Sequence, residues 1–582
     1  MLRCTRFVAA FAIALPVATS VGLERDACAD VAGINLGAPV WDGVAAEEAL
    51  QASIATGAHY VRVNFRLDLW SAPGDATLHG GKTWFQVYDH VVDAITSHGL
   101  EVYGLLNDEV THGFSRADLS GSAFEDAYAE SSLAIVDRYK DRVRVWETIN
   151  EPNDYAGGTS ARVPPDAFAR LHARLYDEIK RAHAGDACWD VRVVTGPLFS
   201  FDDASSADYL DRTIAAGRAG GRWKAVRDAL GHDPIDGIGY HLYVAQGSGS
   251  PASDVGAKGG ANLDAIDAVL AKYGITGAQE WVSEIGWRVP DVDEAMQAAR
   301  VDEMFAAFGA REGVASLMWF SIQDFPGNDW GLYRSTGFGD ADARPSRGKL
   351  LAQVTVHAPA LAARLEVTLP ASVVAGSKVL AKLKATNLGT EAWTRDALVR
   401  LGAAAGCPSA AATNGWTWDD PGASSGYVKS AADARVFLAA GASVAQGESA
   451  SFDVALTAPK SPGSARFAAR MVREGLAWFG ATARADVTVT AEATPDAGAD
   501  ASDADAKVSE DGGAGSNDGG ATADAPGEGD ASVAADGGSA DATSGCGCSD
   551  AGARDDAGVL PLGIVLGIAA LLRRRAAGAS NA

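Results

Sequence analysis

The chain has 582 residues, 47% hydrophobic and 21% charged, and its 75 acidic against 49 basic side chains give a formal net charge of −26. Such a length exceeds what one hydrophobic core fills, so several domains are implied, and the acidic balance excludes a nucleic-acid-binding surface. The charge is uneven: Glu492 to Asp556 holds 16 acidic and 2 basic residues, leaving the remainder only mildly acidic.

Residues 1–29 read as a secretory signal. Arg3 and Arg6 precede an apolar run, Phe7–Val17, and the small-residue site Ala27-Cys28-Ala29 stands before Asp30. The run is short of the roughly 20 residues a membrane span needs. Cleavage would remove Cys4 and Cys28, leaving Cys188, Cys407, Cys546 and Cys548. The first two fall in different predicted domains and the last two in the tail, so no disulfide framework is visible. No Cys/His spacing suits zinc and no calcium loop is present, so neither metal nor cofactor is expected.

Residues 30–358 alternate short apolar strands with amphipathic helical stretches. The predicted strands are Gly33–Leu36, Tyr60–Phe65, Glu101–Leu106, Val143–Ile149, Val191–Thr195, Ile235–Tyr243, Gln279–Ile285 and Ala315–Ile322. Between them, Ala46–Ala55, Phe85–Ser97, Phe124–Tyr139, Ala167–Ala182, Leu263–Lys272 and Glu294–Ala310 carry apolar residues three or four apart. Strands separated by helices pair in parallel, and eight such units predict an α/β fold of the (β/α)8 barrel type, a TIM barrel. An open doubly wound sheet is disfavoured, because no Gly-rich phosphate loop follows the first strand.

In such a barrel the C-terminal strand ends gather the chemistry. The second strand offers Arg62 and Asn64, the fourth Asn150 and Glu151, the sixth His241 and Tyr243, the seventh Glu284, and the eighth Trp319 and Gln323. Polar groups converging in one cleft cost desolvation free energy unless they bind or react. Glu151 and Glu284, three strand-helix units apart, fall across the mouth from each other. Glycosidic bond cleavage needs such a pair, one carboxylic acid to protonate the leaving oxygen and one carboxylate on the other side. Glu147, inside its strand, reads as support. Trp41, Trp70, Trp84, Trp287 and Trp330 lie in the loops, and some of them are expected to line a sugar-binding groove by stacking on pyranose rings.

The run Trp146-Glu147-Thr148-Ile149-Asn150-Glu151-Pro152-Asn153 resembles the acid/base signature of the clan A glycoside hydrolases, including families 5 and 39, and Trp281-Val282-Ser283-Glu284-Ile285-Gly286-Trp287 resembles the nucleophile strand of the same clan. The resemblance implies a retaining glycosidase with Glu151 as acid/base and Glu284 as nucleophile. It further implies that Asn150 bonds the sugar 2-hydroxyl, that Arg62 and Tyr243 orient Glu284 and hold it ionised, that His241 lines the cleft, and that Trp319 forms the sugar platform. The chain departs from family 5 at the third strand, where Leu105-Leu106-Asn107-Asp108-Glu109 stands in place of a terminal His and His112 comes only later. The rival expectation from a different class is a surface carbohydrate-binding or adhesion protein on an inactive barrel.

From residue 360 to 492 the pattern becomes alternation, with seven short predicted strands between Gly and Pro turns, which reads as a β-sandwich. Trp393, Trp416, Trp418 and Trp478, with Asn387-Leu388-Gly389 and the Met471–Gly480 run, resemble the four-tryptophan Ig-like domain. Both a spacer or protein-interaction role and a sugar-binding role stay open for it. Residues 493–557, rich in Asp, Ala and Gly, cannot bury enough surface to offset chain entropy and are expected to form a disordered acidic linker. Cys546-Gly547-Cys548, the apolar run Val559–Leu572 and Arg573-Arg574-Arg575 resemble a MYXO-CTERM-type sorting tail, with residues 558–575 as the anchor segment. That resemblance implies export, attachment to the cell envelope through the tail, and a sorting protease as a partner beside the carbohydrate substrate.

Overall fold

The computed structural model describes residues 31–492, apart from 42–43, 78, 155–160, 183–190, 201–205, 326–328, 405–414 and 431–432. The signal segment, the acidic linker, the C-terminal anchor and all six cysteines lie outside the described residues. Among the described residues, no helix is long and apolar enough to cross a membrane.

Eight parallel strands close into a barrel: β1 (Val31–Gly37), β2 (Tyr60–Asn64), β3 (Glu101–Leu105), β4 (Val145–Glu147), β5 (Arg192–Ser200), β6 (Gly237–Leu242), β7 (Gln279–Ile285) and β8 (Val314–Trp319). Each pairs with its sequence neighbours, and β1 closes the ring on β8 with Val31 opposite Ser316 and Ile34 opposite Trp319. The eight predicted strands are all present. The expected fourth strand runs too far, because the chain leaves the ladder after Glu147 and turns through Asn150 and Glu151.

The expected helices are present as α1 (Glu47–Ala55), α2 (Trp84–Ser97), α3 (Ser122–Tyr139), α4 (Pro165–Ala182), α7 (Ser253–Lys272) and α8 (Glu294–Phe308), with α9 (Pro345–Val356) closing the barrel. Helices α5 (Ser206–Ala219) and α6 (Gly221–Leu230) were not expected. Gly217, inside α5, serves packing: a Cβ there would come within 2.5 Å of the Trp223 ring. Alternation along the strands divides the side chains into two sets. Tyr103, Val145, Val194, Trp281 and Met318 fill the barrel interior, while Val61, Val63, Trp146, Val282, Leu317 and Trp319 join the core shared with the helices.

One irregularity decides the site. Tyr240 pairs with Val282 and the next residue, His241, pairs with Glu284, so β7 carries an extra residue there, and its pairing with β8 slips at the same place. Such a bulge re-aims a side chain. Ser283 and Glu284 consequently both reach inward.

The C-terminal part is built mostly of strands. One sheet orders Ala363–Thr368, Lys378–Asn387, Ser449–Thr457 and Thr417–Trp418; the other orders Ser372–Val374, Ala477–Thr490, Gly463–Arg473, Val399–Ala403, Ala434–Phe437 and Gly426–Val428. Trp393, Trp416 and Trp418 lie in the apolar cluster that both sheets contribute to, whereas Trp478 lies against Gly402, where a Cβ would meet its ring at 2.7 Å. Arg484 joins this part to the barrel through Asp141 at 2.8 Å.

Candidate active site

Arg62, on β2, is the hub. Its guanidinium is buried, a position a cation holds only when paired and hydrogen-bonded. Nη1 donates to Glu284 Oε1 at 2.7 Å and to Asn35 Oδ1 at 3.1 Å, Nη2 donates to Asn150 Oδ1 at 2.8 Å, and Nε donates to Glu147 Oε2 at 2.9 Å. One cation thus organises two carboxylates and two amides drawn from the first, fourth and seventh strands and the turn after the fourth. Glu147 is saturated by further bonds from Tyr103 Oη at 2.9 Å and Ser283 Oγ at 2.7 Å, which suits a supporting part below the mouth.

Glu284 accepts from Arg62 on one oxygen and from Tyr243 Oη, at 2.6 Å, on the other. Burial raises its carboxyl above the ordinary carboxylate value, and Arg62 and the Tyr243 bond offset part of that rise. Glu151 has weaker help. Burial, then the charge of Glu284, push it well above the ordinary carboxylate range. The two carboxyls therefore differ, with Glu151 holding its proton more tightly because its partner is an anion rather than a guanidinium.

His241, fully buried, places Nδ1 2.7 Å from Glu151 Oε1 and 3.5 Å from Glu284 Oε2. Burial, and then the charge of Arg62, hold its pKa well below the usual histidine value, so the ring is neutral and joins the two carboxylates without adding charge. Burial and the Glu284 charge raise the Tyr243 phenol, which stays a proton donor.

One ligand atom each from Glu151, His241 and Glu284 lies within 4.8 Å of the others. This Glu–His–Glu set has the chemistry of a divalent-cation site. The Arg62 charge, hydrogen-bonded to Glu284, opposes a second cation there. At least one oxygen of Glu151 thus lies within 4.8 Å of an oxygen of Glu284, so the two carboxyls adjoin each other across the mouth, the close arrangement that direct attack on a sugar carbon requires.

The structure thus brings together Arg62, Asn150, Glu151, His241, Tyr243 and Glu284. Trp319 is a correction. It is 0% exposed and packs on Trp287 with ring centroids 6.0 Å apart, in the core between barrel and helices. Strand parity explains this: Met318 points in, Trp319 out, and Phe320 in again. Phe320 takes the place beside the site, 6.5 Å from the Tyr243 ring and 6.1 Å from Trp330, and Phe199 stands 5.9 Å from Tyr243. Trp70, Trp84 and Trp287 are likewise buried in the core shared by barrel and helices, Trp330 is buried beside the site with its ring 5.1 Å from that of Tyr243, and the side chain of Trp41 is outside the described part of the structure. Gln323 holds a loop, donating to the carbonyls of Arg334 and Gly337, and Asn64 donates to Glu109.

No protein-family model matches this sequence, and no curated protein sequence matches it. Solved structures of similar fold include a family 39 glycoside hydrolase from Bacteroides cellulosilyticus WH2, at 16% identity over 73% of this chain and 81% of that one, with a TM-score of 0.35. A GH5_18 protein from Streptomyces cattleya in complex with GlcNAc is 16% identical over 57% and 80% of the two chains, with a TM-score of 0.39. A family 1 β-glucosidase from Thermotoga maritima is 11% identical over 56% and 97%, with a TM-score of 0.38. The closed eight-stranded barrel is given by the strand pairing of this chain itself.

Asn35 and Tyr103 are site residues that sequence reasoning missed. Asn35 fixes the hub from β1, accepting from Arg62 and donating Nδ2 to the Ser283 carbonyl at 2.8 Å. A polar residue inside an otherwise apolar barrel strand was the available signal.

Proposed function

We propose that the protein is a retaining glycoside hydrolase acting on β-linked oligo- or polysaccharide by double displacement. The observation that carries this reading is the pair Glu151 and Glu284, close enough for a sugar carbon and its leaving oxygen to lie between them and held in unlike environments. Glu284, oriented by Arg62 and Tyr243, attacks the anomeric carbon and forms a covalent glycosyl-enzyme. Glu151 protonates the departing oxygen, then takes a proton from the water that hydrolyses the intermediate. Asn150 is offered to the sugar 2-hydroxyl, and Phe320 and Phe199 supply the apolar wall that Trp319 does not.

Export and attachment to the cell envelope through the C-terminal tail belong to the same proposal, supported by the signal-like residues 1–29 and the tail motif. Hydrolysis of aryl β-glycosides, followed over a panel of β-glucans, xylans and mannans, tests the activity. Glu151→Gln and Glu284→Ala should each abolish turnover, with azide restoring part of it only in Glu284→Ala by occupying the space of the missing carboxylate. Full activity in either variant refutes the reading.

A further inference from the structure

Glu151 holds a backbone φ of 46°, a left-handed conformation that among the described non-glycine residues recurs only at Ala245 and Leu398. This conformation is strained for an L residue and persists only where the surroundings over-determine it. They do so on both sides. Before Glu151, the Asn150 N–H donates to Asn107 Oδ1 at 3.0 Å, its carbonyl accepts from Arg162 Nη1 at 2.7 Å, and its side-chain oxygen accepts from Arg62. After Glu151, the Asn153 amide exchanges two bonds of 2.8 Å with the Phe199 backbone, and the Asp154 N–H closes a turn on the Glu151 carbonyl at 3.0 Å.

The two groups that grip the Asn150 backbone are themselves fixed by one short loop. Asn107 Nδ2 donates to Glu109 Oε2 at 3.0 Å, which sets the amide so that Oδ1 faces Asn150. Arg162 is paired with Asp108. The loop Asn107–Glu109 is the place where the chain departs from the family 5 pattern, and its residues have no part in the reaction as described above.

We propose that Asn107 and Arg162 are positioning residues for the acid/base. Together they clamp the Asn150–Glu151 peptide in the strained conformation that aims the Glu151 carboxyl at the leaving oxygen. Arg162 also acts through its charge, which lowers the proton affinity of Glu151 against burial and Glu284. This inference rests on reading Glu151 as the acid/base.

The test compares Asn107→Ala, Arg162→Gln and the conservative Arg162→Lys with the wild type on phenyl and 2,4-dinitrophenyl β-glycosides of one sugar. A phenolate needs the proton and a dinitrophenolate does not, so misplacing the acid should lower kcat/KM on the phenyl substrate about 10–100-fold, part of what general acid catalysis supplies. The loss on the dinitrophenyl substrate should be at least tenfold smaller, and Arg162→Lys should recover part of the loss. Arg162→Gln should also move the basic limb of kcat/KM to higher pH. Equal losses on both substrates, or no loss, overturn the clamp. A readout independent of turnover is the titration of Glu151 in protein carrying 13C-labelled Glu, its resonance assigned with Glu151→Gln. The Glu151 midpoint should rise in Arg162→Gln, and an unchanged midpoint overturns the proposal. If the wild type hydrolyses neither glycoside, the acid/base reading fails and the titration alone decides the clamp.

Discussion

Ser283 and Glu284 are consecutive residues of β7, yet both side chains reach the barrel interior, Ser283 bonding Glu147 and Glu284 bonding Arg62 and Tyr243. The bulge between them lets one strand serve two layers, the supporting carboxylate below and the reacting one above. Glu147→Gln should separate these parts. An amide nitrogen would then face the Arg62 Nε–H, donor against donor, or turn toward Tyr103 and Ser283 with the same result. Breaking a buried pair in this way costs about 3–5 kcal/mol, measurable by urea unfolding. Azide should restore no activity, because the vacated charge is not at the reacting centre; an unchanged unfolding midpoint would refute the supporting role.

Tyr243→Phe should change the pH profile in one direction. Glu284 must be ionised to attack, and the Tyr243 hydroxyl favours its charged form. Without that bond the Glu284 pKa rises, so the acid limb of kcat/KM moves to higher pH while the basic limb, set by Glu151, moves less. A charge-assisted bond of about 1.5–3 kcal/mol corresponds to a loss of roughly tenfold to a hundredfold at the optimum. An acid limb that stays in place would show that Tyr243 does not tune the nucleophile.

Trp319 and Phe320, adjacent in sequence, should give opposite phenotypes. Trp319→Ala opens a cavity in the core and should cost about 3–5 kcal/mol of stability. Phe320→Ala removes an aromatic beside Tyr243 and should raise KM with a smaller stability change, since about 0.5–1.5 kcal/mol is the scale of such a ring contact. Thermal unfolding and steady-state kinetics on the same two proteins check this. Equal effects on KM would restore Trp319 to the site.

Why the sequence could be read in one place and misread in the other follows from geometry. Asn150, Glu151 and Glu284 are conspicuous because polar groups follow apolar strands, and alternation with helices forecasts the barrel that collects them. Parity is not visible at a strand end. Whether Trp319 or Phe320 faces the site depends on how β8 sits on β7, and whether Glu284 faces in depends on a bulge that only the pairing reveals. Asn107 reaches Asn150 from another strand-helix unit, a contact no local pattern encodes.

The barrel also carries an acid unconnected with the mouth. Glu280, near the start of β7, is buried, neither of its oxygens has a hydrogen-bond partner among the described residues, and its ion pair with Arg311 Nε is long at 3.6 Å. Burial, and then the charge of Asp267, raise its pKa from 4.5 to about 8. The folded protein therefore keeps a proton between these values that the unfolded chain has released. Fewer protons bound in the unfolded state make stability fall as pH rises. The contribution of neutral Glu280 is complete below pH 4.5, declines through the interval and is lost above about 8, a swing on the order of a few kcal/mol. Glu280→Gln keeps the shape and cannot ionise. Urea unfolding at pH 5.5, 7 and 8.5 should show the difference between variant and wild type growing with pH in favour of the variant, and parallel curves would mean that Glu280 is already ionised in the fold.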